Sequence, residues 1–193
     1  MLDQETLKKL PKPLLIVGPA HSGKSQLATQ CLTGGKPTTV IGTTILKESI
    51  LPPRIEFLQK SRPQHWRLVE EAKDISSVIS EVTQDSDQLI IDSVNQWVAR
   101  VLLDYTEGTP EGLVDNKVQP VLNEMLRIVS ENKSKCDIVI VTSEMGATPP
   151  PERLVERIFR RQMGLFNQEL ARHCASVVSV QLGIPTLLKG TIT

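Results

Sequence analysis

No stretch of the 193-residue chain reaches about 18 uninterrupted apolar residues, the rough minimum for a helix that spans a membrane. The opening, Met1 to Lys12, scatters charges along its length and has no apolar segment of the kind an export signal carries, so a cytoplasmic protein is expected. Charge of one sign is lacking too. Lys+Arg and Asp+Glu both number 22, and a chain of zero formal charge is a poor general binder of nucleic acid, whose nonspecific affinity comes mostly from surplus Lys and Arg. Cysteine is sparse: Cys31, Cys136 and Cys174 are odd in number, far apart and without a Cys-x-x-Cys pair, and are expected as buried or free thiols. What is present is globular composition, 39% hydrophobic and 23% charged, at a length that suits one domain over residues 1–193.

Short apolar runs recur between longer segments of helical character, the alternation expected of an α/β fold, a mostly parallel sheet with helices on both faces. The runs are Pro13 to Val17, Thr38 to Ile41, Gln88 to Ile91, Asp137 to Val141 and Ser176 to Val180. Most are nearly continuously apolar, as strands covered on both faces should be. Lys24 to Cys31, Ile75 to Val82, Val94 to Leu103, Val118 to Ser130 and Glu152 to His173 read as helices, with Pro151 suited to the first turn of the last. Leu46 to Lys60 is also periodic as a helix, but Pro52-Pro53 must break or kink it. Tyr105 to Asn116, rich in Gly, Pro, Glu and Asp, is expected as a mobile surface loop.

One motif carries chemistry. Gly18-Pro19-Ala20-His21-Ser22-Gly23-Lys24-Ser25 fits G-x-x-x-x-G-K-[ST] in full, directly after an apolar strand and directly before a helix. In that setting the glycines let the backbone wrap phosphate oxygens of ATP or GTP, Lys24 reaches the β- and γ-phosphates, and the Ser25 hydroxyl ligates Mg²⁺. His21 takes a variable position whose backbone does the work. Asp92, closing Leu89-Ile90-Ile91, stands where a second magnesium-organising carboxylate belongs, or where a cap for the helix from Val94 would sit. Glu144, in Thr142-Ser143-Glu144-Met145-Gly146, follows another apolar strand and is a candidate base or magnesium partner, the alternative being a solvated loop carboxylate. Such a loop names a nucleotide and leaves the reaction open.

Further segments, in order, extend the pattern: Ile41-Gly42-Thr43; Arg54-Ile55 leading to Arg62-Pro63-Gln64-His65-Trp66-Arg67 and Glu70; Thr142 to Gly146; Phe159-Arg160, Gly164, Asn167-Gln168 and Leu170-Ala171; and Gly183-Ile184-Pro185 with Leu188-Lys189. Together with the phosphate loop they resemble the adenosylcobinamide kinase / adenosylcobinamide-phosphate guanylyltransferase family of cobalamin biosynthesis over nearly the whole chain. The resemblance implies a P-loop NTPase fold of the RecA-like branch, a trimer, and two activities. One phosphorylates the aminopropanol hydroxyl of adenosylcobinamide from ATP or GTP; the other transfers GMP to that phosphate through a guanylyl group held on a histidine. Lys24, Asp92 and Glu144, read above from the loop and the strand ends, are the expected catalytic set, and the matching segments put Arg54, Arg62, His65 and Arg160 on the substrate side.

One departure stands out. Where the family carries its guanylyl-accepting histidine, usually in a His-His pair, this chain reads Glu56-Phe57-Leu58-Gln59, and neither Phe57 nor Leu58 has a nucleophilic atom. His65 matches a separate family histidine and lies seven or eight residues further on, about two helical turns if the segment is helical. Two readings follow: a kinase without guanylyl transfer, or a nucleotide-binding sensor or interaction protein of the same fold. Trp97 is expected in the core, Arg153, Arg157 and Arg161 on a salt-bridged face, and His173 at a helix end where it complements the dipole.

Overall fold

Every apolar run becomes a strand of one sheet. The computed structural model describes residues 2–43, 63–71, 73–106, 111–146, 149 and 151–191. The strands are β1 (Leu14–Gly18), β2 (Thr38–Gly42), β3 (Arg67–Glu70), β4 (Gln88–Asp92), β5 (Asp137–Ser143), β6 (Ser176–Gln181) and β7 (Ile184–Lys189). The helices are α1 (Gln4–Lys9), α2 (Lys24–Gln30), α3 (Ile75–Asp85), α4 (Val94–Thr106), α5 (Glu111–Asn132) and α6 (Leu154–His173). The seven strands lie in the order β3-β2-β4-β5-β1-β6-β7, all neighbours parallel except the antiparallel hairpin of β6 and β7.

Alternation along each strand explains the apolar runs. Leu15, Leu89, Ile91, Ile138, Ile140 and Val177 join the cluster under α3, α4, α5 and α6; Leu14, Ile16, Ile90, Val139, Val141 and Val178 join the one under α1 and α2. Successive side chains point to opposite faces, so a strand covered on both sides is mostly apolar, and the polar residues it buries, such as Thr38, Thr39, Gln88, Thr142 and Ser176, lie at or near its ends. Cutting Ile140 back to alanine at the sheet's centre would cost about 2–5 kcal/mol. The two edge strands escape this rule. β3 and β7 are largely exposed, so they lack the continuous apolar signature, and Pro185 is tolerated in β7 because that strand is an edge.

Residues 111–116 correct the expectation of a loop from Tyr105 to Asn116. α4 continues through Thr106 and α5 begins at Glu111. The apolar stripe of α5 runs back from Met125 through Leu122 and Val118 to Val114, every one of them buried, and that packing outweighs the loop-like composition. Pro120 sits inside the helix on its exposed side. At the other long helix, Pro151 lies ahead of the first turn: α6 starts at Leu154, while the Arg157 guanidinium donates to the carbonyls of Pro151 and Glu152, at 3.5 and 2.7 Å, and holds that lead-in outside the helix. The periodic segment Leu46 to Lys60 lies outside the described residues.

Trp97 is core, 1% exposed, its ring 6.0 Å from that of Phe166 and its indole N–H donated to the Lys73 carbonyl at 3.1 Å. Arg161 holds Asp115 with two bonds of 2.7 Å, a tie between α6 and α5, and the His173 ring lies 2.9 Å from the Glu169 carbonyl at the end of α6. The three cysteines are buried and free, and burial pushes their thiols up to about 12. Among the described residues no helix is long and apolar enough to cross a membrane.

Candidate functional site

Parallel register gathers the carboxyl ends of the strands at one edge of the sheet. Gly18 stands level with Ser143, Asp92 with Val141 and Gly42, and Gly42 with Glu70. Ligands of open parallel sheets bind outside such an edge.

β1 delivers the chain there at Gly18, and the reason for glycine is steric: a Cβ would lie 2.2 Å from the Val180 carbonyl oxygen of β6. The loop that follows doubles back. The Ser22 N–H donates to the Pro19 carbonyl at 3.4 Å, and His21 and Gly23 take φ of 59° and 97°. Pro19, Ala20 and His21 are exposed, Ser22 and Lys24 buried. From Gly23 the chain enters α2, whose first bond runs from the Leu27 N–H to the Gly23 carbonyl at 2.9 Å. Lys24, 8% exposed, folds back over the loop and donates from Nζ to the Pro19 carbonyl at 2.6 Å. The Ser22 Oγ is buried with no hydrogen-bond partner among the described residues.

Ser25 reaches further than sequence distance suggests. The strand that leads into its loop, β1, is separated from β4 by β5, roughly 9–10 Å at the usual inter-strand spacing. α2 packs across β1, β5 and β4 and so carries Ser25 sideways, until its hydroxyl donates to Asp92 Oδ1 at 3.0 Å. Asp92 in turn is set by Thr43, the residue just past β2. The Thr43 N–H donates to the Asp92 carbonyl at 3.2 Å, its hydroxyl donates to the Ser93 carbonyl at 2.6 Å, and it accepts from the Ser93 N–H at 3.1 Å. Thr43 is 3% exposed, so these bonds form away from competing water.

Glu144 comes to the same edge by a different route. Its N–H donates to the Gly18 carbonyl at 3.1 Å, tying the end of β5 to the start of the phosphate loop. Its carboxylate, however, is exposed and accepts from the Gly146 N–H of its own loop. Arg160 of α6 holds that loop through the Gly146 carbonyl at 2.6 Å. Asn167 braces the strand end, accepting from the Thr142 hydroxyl at 2.7 Å and donating to the Ser143 carbonyl at 3.0 Å. Glu144, Arg157, Arg160 and Asn167 are among the residues lining a cleft of about 370 Å³.

The edge therefore brings together the phosphate loop, Asp92 and Glu144, with Arg160 behind Glu144. It does not bring in His65. That residue is exposed and precedes β3, whose Arg67 is level with Thr39 near the start of β2, so His65 lies toward the opposite edge of the sheet, beside Trp66. Arg54, Phe57, Leu58 and Arg62 lie outside the described residues. Sequence reasoning passed over Thr43 and Asn167, whose segments were part of the resemblance but whose bonds join residues 50 and 24 or 25 positions apart. No spacing rule reports such pairs.

Among the described residues, no group of three or more His, Cys, Asp or Glu side chains converges on a point. The hydroxyl and carboxylate of Ser25 and Asp92 are hard oxygen donors at hydrogen-bond separation, a set that fits Mg²⁺, which typically binds through one or two protein oxygens with substrate phosphates completing its shell.

Comparison with known proteins extends these observations. The family model described as cobinamide kinase / cobinamide phosphate guanyltransferase matches residues 14–188. The bifunctional adenosylcobalamin biosynthesis protein CobU of Escherichia coli (strain K12) is 27% identical over 179 residues, 91% of this chain and 99% of its own length. The protein of the same name from Salmonella typhimurium (strain LT2) is 28% identical over 180 residues, with the same shares covered. Among solved structures, a prototypical ATPase from the type III secretion system of pathogenic bacteria shares the fold, with a TM-score of 0.58 at 9% identity; the match covers 97% of this chain and 62% of that one. The chain thus spans under two thirds of that ATPase's length.

Proposed function

The chain belongs to the cobinamide kinase / cobinamide phosphate guanyltransferase family, and on that premise we propose that it transfers the γ-phosphoryl group of ATP or GTP to the hydroxyl of adenosylcobinamide. The observation that carries this reading is the 3.0 Å bond between the Ser25 hydroxyl and Asp92, joining the phosphate loop to the carboxyl end of a non-adjacent strand. Phosphoryl transfer depends on positioning and electrostatic stabilisation more than on covalent help from the protein. The residues that supply both stand together at this edge.

In this reading the loop from Gly18 to Ser25 wraps the phosphates with backbone N–H groups, and the steric contact of Gly18 with β6 fixes where that wrap begins. Lys24 exchanges its bond to the Pro19 carbonyl for phosphate oxygens, keeping a buried ammonium paired throughout. Ser25 and Asp92 would hold Mg²⁺, which when bound neutralises charge on the β- and γ-phosphates. Glu144 is proposed to take the proton of the acceptor hydroxyl, with the carboxylate oxygen that the Gly146 N–H leaves open, and Arg160 to orient the loop that carries it. The family resemblance carries the further expectation of a trimer, and the composition and scattered cysteines that of a cytoplasmic setting.

Guanylyl transfer is proposed to be absent. Phe57 and Leu58 stand in the segment where the resemblance expects a histidine, and His65, near the opposite edge of the sheet in the same chain, is poorly placed to replace it. The test uses purified protein with Mg²⁺, adenosylcobinamide and GTP or ATP labelled on the γ-phosphate. Label is expected in cobinamide phosphate, and GTP labelled on the α-phosphate is expected to leave the protein and the corrinoid unlabelled. Lys24→Ala is expected to abolish transfer. A sample that binds nucleotide and transfers nothing would overturn the kinase reading and leave a nucleotide-binding sensor or interaction protein.

A further inference from the structure

The phosphate loop accounts for a triphosphate and leaves open what holds its nucleoside. We propose that the tip of the β6–β7 hairpin, Leu182 with Ile184, is the apolar platform on which the purine of the bound nucleotide rests. The inference rests on the triphosphate reading above and extends it from the phosphates to the base.

The hairpin tip is part of the loop's wall. The Gly183 N–H donates to the Ser22 carbonyl at 3.0 Å, a Cβ on Gly23 would come within 3.6 Å of the Gly183 Cα, and Gly18 lies under the Val180 carbonyl. Anything seated on the loop therefore has the turn of the hairpin beside it.

The tip is also costly as it stands. Leu182 is 94% exposed and takes φ of 53°, a left-handed conformation that leucine adopts at a penalty and that glycine or asparagine adopts readily. Ile184, 48% exposed, is two residues on. Leu187 of the same strand, by contrast, is packed against the core. A turn chosen for folding alone would place a small or polar residue at 182.

Direction follows from the two flanks of the loop. Toward β5 and β4 the edge carries Glu144 and Asp92, with Ser25 bonded to Asp92. That flank suits the metal-binding β- and γ-phosphates and, with its carboxylates, is a poor neighbour for the face of a base. A triphosphate with its γ end there directs its nucleoside end to the other flank, where β6 and β7 present Leu182 and Ile184. Nucleoside pockets are mostly apolar with few polar groups, which is the character of this flank.

The experiment separates base from phosphate. Binding of Mg²⁺ with GTP, with ATP and with inorganic tripolyphosphate is measured by calorimetry on the wild type and on Leu182→Gly and Leu182→Asn, both compatible with the turn. The better-bound nucleotide is expected to weaken by about tenfold in each variant, the loss from uncovering one large apolar contact. Tripolyphosphate is expected to bind all three proteins alike. Nucleotide affinity equal to wild type in both variants overturns the inference, and so does a parallel loss for tripolyphosphate, which would make the hairpin a support of the loop. A change in oligomeric state with nucleotide affinity intact assigns the tip to a subunit contact and likewise overturns it. A wild type that binds neither nucleotide nor tripolyphosphate brings down the triphosphate reading itself.

Discussion

The ends of β4 and β5 invite comparison. Both are central parallel strands, both are buried apolar runs, and each delivers an acidic residue to the carboxyl edge, Asp92 and Glu144. In sequence the two are nearly interchangeable. In the fold, Asp92 meets Ser25 at 3.0 Å on a backbone gripped by the buried Thr43, whereas Glu144 is exposed, its carboxylate bonded to Gly146 of its own loop. A strand end supplies the location of a carboxylate. Its working precision comes from what clamps the neighbouring backbone: at β4 the buried Thr43 side chain holds both polar groups of Ser93, whereas at β5 the Gly18 carbonyl holds the Glu144 N–H and the carboxylate is left to its own loop.

Substitutions at the two strand ends are expected to separate them. Asp92→Asn keeps the shape and an acceptor for Ser25 but removes the charge, and turnover is expected to fall about a hundredfold or more, as for loss of a group that stabilises developing charge. The measurement is the rate of γ-label transfer at saturating nucleotide. A loss under about threefold would put Asp92 on a level with an ordinary helix cap.

Thr43→Val is expected to cost about tenfold in turnover and to raise the Mg²⁺ concentration needed for half-maximal rate, because both polar groups of Ser93 lose their partner. Thr43→Ser, which keeps the hydroxyl, is expected to restore the rate and the magnesium requirement. Loss of thermal stability alone, with an unchanged magnesium curve, would make Thr43 structural only. Glu144→Gln is expected to lower turnover by less than about tenfold, since a loose transition state asks little of a base. A hundredfold loss would erase the distinction between the two strand ends.

The smallest effect concerns pH. Burial raises the folded thiols of Cys31, Cys136 and Cys174 to about 12, against an ordinary value of 9.0 that the unfolded chain regains. The folded state then binds more protons above that ordinary value, so this contribution to stability is whole below it and declines as pH climbs toward 12. Denaturant midpoints across that window check the sign, and a thiol reagent at pH 8 is expected to label the native protein no faster than it unfolds.

Legibility followed the range of the interactions. The five interior strands were readable because burial on both faces leaves an unbroken apolar signature; the edge strands β3 and β7, half in solvent, carry no such mark. Of the loop expected from Tyr105 to Asn116, residues 111–116 turned out to be the start of α5 because Val114 extends the buried stripe of that helix, a fact of packing that composition concealed. The junction of β1 and α2 around the motif was legible, since it arises from glycines, a strand and a helix that are contiguous in the chain.

Local chemistry was thus enough to specify the sheet's interior strands and the strand–loop–helix junction that carries the G-x-x-x-x-G-K-[ST] motif. The tertiary structure alone decided that Ser25 reaches Asp92 across β5, that Thr43 sets Asp92, that Glu144 turns onto its own loop, and that His65 lies toward the far edge of the sheet. The physical reason is one of range: a backbone wrap is encoded by neighbours in sequence, whereas a bond between residues 67 positions apart exists only once strand order and helix packing have brought them together.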